Sequence, residues 1–81
     1  MKARVIVSFK DEVLDPQGLT IKNALHSLGY KFIKDVRQGK VFDIEIDGIS
    51  VEDAKKYLQE IADKVLANPV IEKFHWEIIE K

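Results

Sequence analysis

Phe32-Ile33-Lys34-Asp35-Val36-Arg37-Gln38-Gly39-Lys40-Val41-Phe42-Asp43-Ile44-Glu45-Ile46 is the stretch on which the fold turns. Phe32, Lys34 and Val36 oppose Ile33, Asp35 and Arg37, and further on Phe42, Ile44 and Ile46 oppose Val41, Asp43 and Glu45, which is the two-residue period of strands. Gln38-Gly39 lies between the two halves as a short reversal, so the spacing predicts a β-hairpin. In the second arm only the face of Phe42, Ile44 and Ile46 is apolar enough for a core.

On the N-terminal side, Ile21, Leu25 and Leu28 share one face of a helical pattern. Asp15-Pro16 opens that helix, with Asp15 as cap and Pro16 in the first position, and Gly29 sits where a left-handed C-terminal cap is needed. A polar connection over residues 11–18 leads back to residues 3–9, where Ala3, Val5, Val7 and Phe9 alternate with Arg4, Ile6 and Ser8 in a first strand. On the C-terminal side, Asp47-Gly48 turns the chain, and Ser50 with Asp53 starts a helix running to about Ala67. Its apolar stripe is Val51, Ala54, Leu58, Ile61, Ala62 and Val65. Asn68-Pro69 ends it, and over residues 71–79 Phe74, Trp76 and Ile78 alternate with Lys73, His75, Glu77 and Ile79 in a last strand.

The order is therefore βαββαβ, an α+β chain. Its economical packing is a ferredoxin-like two-layer sandwich, an antiparallel sheet with both helices on one face. The other face would carry Ile6, Val41 and Ile79 among charged residues, and these three are the candidates for self-association. The whole chain, residues 1–81, is short enough for one domain and apolar enough, at 46%, to fold. A core this small leans on oligomerisation, so a dimer or higher oligomer is expected.

Thirteen basic against fourteen acidic residues leave a net charge of −1, which gives no field to collect nucleic acid or anionic lipid. Zero cysteines exclude thiolate chemistry, disulfides and cysteine-based zinc sites. No apolar run has the length of a signal or membrane segment, and a soluble cytoplasmic protein is the expectation. None of the four glycines belongs to a phosphate loop or dinucleotide fingerprint. His26 and His75 lack a second ligand at metal spacing, and Asp11-Glu12 and Asp43/Glu45 read as solvated carboxylates. No catalytic residue, metal or cofactor is expected. RNA-recognition domains share the βαββαβ order, but the open-face positions of the third strand are Val41, Asp43 and Glu45 where such domains carry aromatics.

Three segments stand out beyond packing: Leu14-Asp15-Pro16-Gln17-Gly18, Val36-Arg37-Gln38-Gly39-Lys40, and Leu66-Ala67-Asn68-Pro69-Val70-Ile71-Glu72. Each has a structural role open to it, as helix cap, hairpin turn or helix stop. With Ala24-Leu25-His26-Ser27-Leu28-Gly29-Tyr30 after the first, they resemble in order and spacing the PurS family, the small subunit of phosphoribosylformylglycinamidine (FGAM) synthase. Gln38 departs from the family's usual small or apolar residue. The resemblance implies a non-catalytic subunit, a homodimer or homotetramer, that joins a glutaminase to a large ATP-dependent synthetase for transfer of glutamine-derived ammonia in purine biosynthesis. On the family's motifs, the partner-interface candidates are Asp15, Pro16, Gln17, Gly18, Arg37, Gly39, Lys40, Asn68 and Pro69. The alternative is an oligomeric regulatory module that binds a small metabolite.

Overall fold

β1, Lys2–Phe9, is the spine of the molecule, pairing antiparallel with β2, Gly39–Glu45, on one side and with β3, Glu72–Glu80, on the other. The computed structural model describes all residues 1–81 and has the order β-α-β-α-β, with a three-stranded sheet arranged β2-β1-β3. α1 spans Pro16–Ser27 and α2 spans Val51–Ile61, continued by a π-helical turn at Ala62–Leu66. No helix is long and apolar enough to cross a membrane.

The alternation read from the sequence sets the register. Ala3, Val5 and Val7 are fully buried on the inner face, flanked by Phe42 and Ile44 of β2 and by Phe74, Trp76 and Ile78 of β3. Leu58 of α2 and Ala62 of the turn that continues it close this face, both fully buried in the core cluster, and Ala54 of α2 is fully buried as well. Ser50 caps α2, its Oγ accepting the Asp53 N–H at 3.1 Å. The outer face carries the row Val41, Ile6, His75 beside the row Asp43, Arg4, Glu77, and Arg4 bonds Asp43 across the strands at 2.8 Å.

Two expectations need correction. Residues 32–37 are not a strand, so the hairpin and the βαββαβ order give way to three strands, with β2 beginning at Gly39. The reason is that the backbone groups of this segment are already committed elsewhere. His26 Nε2 lies 2.7 Å from the Ile33 carbonyl oxygen, the Asp35 carboxylate takes the Val36 N–H, and the Asp15 carboxylate takes the Gln38 N–H at 2.6 Å.

The second correction concerns the placement of α1, which does not join α2 over the sheet. Gly18 is its one buried residue, no α1 side chain belongs to the core cluster, and Ile21 and Leu28 are exposed. Strands of at most nine residues span about 30 Å, yet the long axis of the molecule is 51 Å. α1 and the segment returning from it form an arm that continues past the end of the sheet. The arm ends in a Schellman cap: Tyr30 N–H donates to the Leu25 carbonyl and Gly29 N–H to the His26 carbonyl, with Gly29 at φ 98°.

Candidate functional site at the polar end of the sheet

α1 starts where β1 ends and β2 and β3 begin, so the three segments singled out in the sequence meet at one end of the sheet. Asp15 is the centre of this junction. An N-cap needs one carboxylate oxygen, and Oδ1 serves by accepting the Gly18 N–H at 3.0 Å. The second oxygen accepts the Gln38 N–H, which ties the first segment to the second. With only 2% of its surface exposed, Asp15 is the single buried charged residue, and both its oxygens are bonded. The donated N–H groups of Gln38 and Gly18 hold its pKa below the ordinary aspartate value.

Gly18 is required by close approach: a Cβ there would run into the Val36 carbonyl oxygen and lie 2.8 Å from Asp15 Oδ2. Gly39 is required in the same way, since a Cβ would lie 2.6 Å from the Val7 carbonyl oxygen. Arg37 crosses to the loop before α1, where one guanidinium nitrogen donates to the Lys10 carbonyl at 3.0 Å and to the Val13 carbonyl at 2.8 Å. Gln38 Nε2 donates to Gln17 Oε1 at 2.8 Å.

The third segment closes the junction. Asn68 Oδ1 accepts the Val70 N–H, its carbonyl accepts the Ile71 and Glu72 N–H groups, and its own N–H donates to Glu72 Oε1 at 2.7 Å. Lys10 N–H donates to the Ile71 carbonyl, and Lys40 Nζ stands 3.8 Å from Glu72 Oε2. Lys73 and Asp11 pair at 2.8 Å beside this junction, and that bond holds the Asp11 pKa down. Between these groups lies a cleft of about 60 Å³ walled in part by Ser8, Gln17, Gln38, Lys40 and Glu72.

Of the nine expected interface residues, Asp15 and Gly18 are buried, while Pro16, Gln17, Arg37, Gly39, Lys40, Asn68 and Pro69 are exposed around the junction. The sequence reading missed Glu72 and the part played by Gln38. A buried cap aspartate has a second oxygen to satisfy, and that was the available signal for a second donor. A larger hollow of about 210 Å³ at the opposite end, walled by Met1, Lys2, Glu45, Asp47, Glu80 and Lys81, gathers none of the expected residues. Ile6, Val41 and Ile79 remain on the outer face, 38%, 60% and 38% exposed.

The family model described as PurS, phosphoribosylformylglycinamidine (FGAM) synthase, matches residues 2–80. The chain belongs to the PurS family. It is 43% identical over 79 residues to the FGAM synthase subunit PurS of Bacillus subtilis, covering 98% of this chain and 93% of that protein. It is 51% identical over 71 residues to PurS of Mycobacterium leprae, covering 88% and 86%. Among solved structures, B. subtilis PurS superposes with TM-score 0.86, 43% identity and 98% of both chains covered. A chain in the PurLQS structure from Thermotoga maritima superposes with TM-score 0.83 at 28% identity, covering 94% of this chain and 93% of that one. The extended chain path, with α1 away from the sheet, therefore belongs to a shape shared with other PurS chains.

Proposed function

We propose that this chain is the small, non-catalytic subunit of FGAM synthase in purine biosynthesis, working in the cytoplasm as an oligomer. In this reading it joins a glutaminase subunit to an ATP-dependent synthetase subunit, so that ammonia released from glutamine passes between docked active sites. Ammonia freed into bulk water is diluted and largely protonated near neutral pH, and docking keeps its effective concentration high. Such a task needs a rigid, polar contact surface rather than reacting groups.

The observation that carries the reading is the convergence of the three family segments on one end of the sheet, around a cleft of about 60 Å³. Buried hydrogen bonds through Asp15 fix the backbone there, while Pro16, Gln17, Lys40, Asn68 and Pro69 stay exposed for contact. The relative in the PurLQS structure supports membership of a multi-subunit assembly. Metabolite pockets occupy about 300 Å³ or more, and the hollows of about 60 and 210 Å³ lend the regulatory reading no comparable support.

The reading is tested by assaying FGAM formation with purified glutaminase and synthetase subunits, with and without this chain. The glutamine-dependent reaction is expected to require the chain while the ammonia-dependent one proceeds without it. Equal glutamine-dependent rates in its presence and absence would remove the bridging role.

A further inference from the structure

We propose that the Asp47-Gly48 turn between β2 and α2 is a modification site, where Asp47 isomerises to isoaspartate through a succinimide closed by the Gly48 main-chain nitrogen. The α-carboxylate so exposed is a substrate for carboxyl methyltransferases that use a sulfonium methyl donor. The site lies at the end of the sheet opposite the three-segment junction, beside the hollow of about 210 Å³, and the inference is independent of the subunit's task.

Ring closure needs a following residue with a free main-chain N–H, no side-chain bulk beside that nitrogen, and an aspartate carboxyl that is not held elsewhere. Asp47 meets all three conditions. Residues 47–50 are exposed and lie outside the helices and strands. No hydrogen bond of the molecule uses the Gly48 N–H or the Asp47 carboxylate, and that carboxylate has no ion pair. A Cβ placed on Gly48 would meet nothing within 4 Å, so the space around the nitrogen is open. Gly48 takes φ 78°, and glycine's conformational freedom lets the turn move from there into the closing geometry. The other aspartates and asparagines each fail a condition. Asp15 and Asn68 precede prolines, which have no N–H. Asp43 lies in β2, Asn23 in α1, Asp53 in α2 and Asp63 in the π turn, where regular structure holds the backbone. Asp35 is followed by β-branched Val36, whose N–H is already donated to the Asp35 carboxylate. Asp11 is held by Lys73 at 2.8 Å and is followed by the bulkier Glu12.

The Gly48 nitrogen attacks Cγ of the protonated Asp47 carboxyl, a C–N bond forms, and the carboxyl hydroxyl leaves with the amide proton as water. Water then opens the ring. Attack at Cγ restores aspartate, whereas attack at the Asp47 main-chain carbonyl carbon leaves the chain running through Cβ and Cγ. The water released in closing the ring is taken up again in opening it, and no oxidant or reductant enters. The isomerised main chain carries one more carbon between two fixed points. Ile46 is bonded both ways to Met1, at 2.9 and 3.0 Å, and Ser50 caps α2, so the added length falls on the start of α2.

Ageing the full chain in neutral buffer beside its Asp47→Glu variant tests the site. Glutamate would have to close a larger ring, which is far slower, and the substitution breaks no hydrogen bond or ion pair. The aged wild type is expected to accept labelled methyl groups from S-adenosylmethionine in the presence of an isoaspartyl methyltransferase. Asp47→Glu should stay at the level of freshly purified protein. Asp47→Asn, which closes the same ring by losing ammonia instead of water, should exceed the wild type. Electron-transfer fragmentation of the tryptic peptide Val41–Lys55 should place the isoaspartyl residue at position 47, with Asp43 and Asp53 of the same peptide unmodified. Should Asp47→Glu melt at a lower temperature than the wild type, fragmentation of the aged wild type decides alone. No methyl acceptance above the fresh protein, equal acceptance by Asp47→Glu, or an isoaspartyl residue placed elsewhere in the chain overturns the proposal.

Discussion

Asp15 shows how one side chain can act as both cap and clasp. As the helix cap it was legible from Asp15-Pro16, and the structure adds the Gln38 N–H as a partner 23 residues away. Asp15→Ala removes both acceptors and leaves two backbone donors at a buried site, so it should cost about 2 kcal/mol or more by urea denaturation. Its pKa is depressed in the fold, so its contribution is complete at pH values above the ordinary aspartate value and is lost as pH falls through the lower, folded-state value. Stability of the wild type should therefore decline below about pH 4, and the Asp15→Asn variant should show a shallower decline in the same melts. Gly18→Ala brings a methyl group against the Val36 carbonyl and should cost about 1–3 kcal/mol. Stability equal to wild type would mean that the arm and the returning segment do not meet at Gly18.

At the scale of elements, the sequence was most legible where one face simply alternates. β1, β2 and β3 begin and end within a residue or so of the expected bounds, and Gly29 takes the left-handed cap anticipated for it. Residues 32–37 have the same alternation but are not a strand, because competition from His26 and Asp15 for backbone groups is not visible in local periodicity. The end of α2 failed differently. A regular helix would place Val65 on the stripe of Leu58 and Ala62, but the π turn, closed by Ala67 N–H to the Ala62 carbonyl at 2.9 Å, adds a residue. Val65 is turned out, 75% exposed, while Leu66 packs on the core and Ala67 is buried. Hence Val65→Lys should change stability by less than about 0.5 kcal/mol, whereas Leu66→Ala should cost about 2 kcal/mol. The reverse ranking in denaturant melts would restore the regular helix. The turn also sets the path of the chain into Asn68-Pro69, the third member of the junction.

The whole molecule is unusually drawn out. Its radius of gyration is 16.1 Å, against roughly 12 Å for a compact domain of this length. The sequence located incomplete burial on the outer face, where Ile6, Val41 and Ile79 are 38%, 60% and 38% exposed, but strand alternation says nothing about where a helix will lie, so the exposed side chains of α1 were not legible in it. The convergence of Leu14–Gly18, Val36–Lys40 and Leu66–Glu72 was likewise beyond the sequence, since each has a local role that accounts for it alone. Together they make the polar end the surface on which the bridging account depends. Arg37 and Asp15 are poor probes of that surface, because both hold the fold together. Lys40 and Gln17 are better, being exposed and linked only to Glu72 and Gln38. The most direct test titrates the glutaminase and synthetase subunits with a Gln17→Ala, Lys40→Glu variant of matched thermal stability and oligomeric state, following glutamine- and ammonia-dependent FGAM formation together. The account predicts that the concentration giving half-maximal glutamine-dependent rate rises by about tenfold or more, with the ammonia-dependent rate unchanged. A titration curve superimposable on that of the wild type would contradict it.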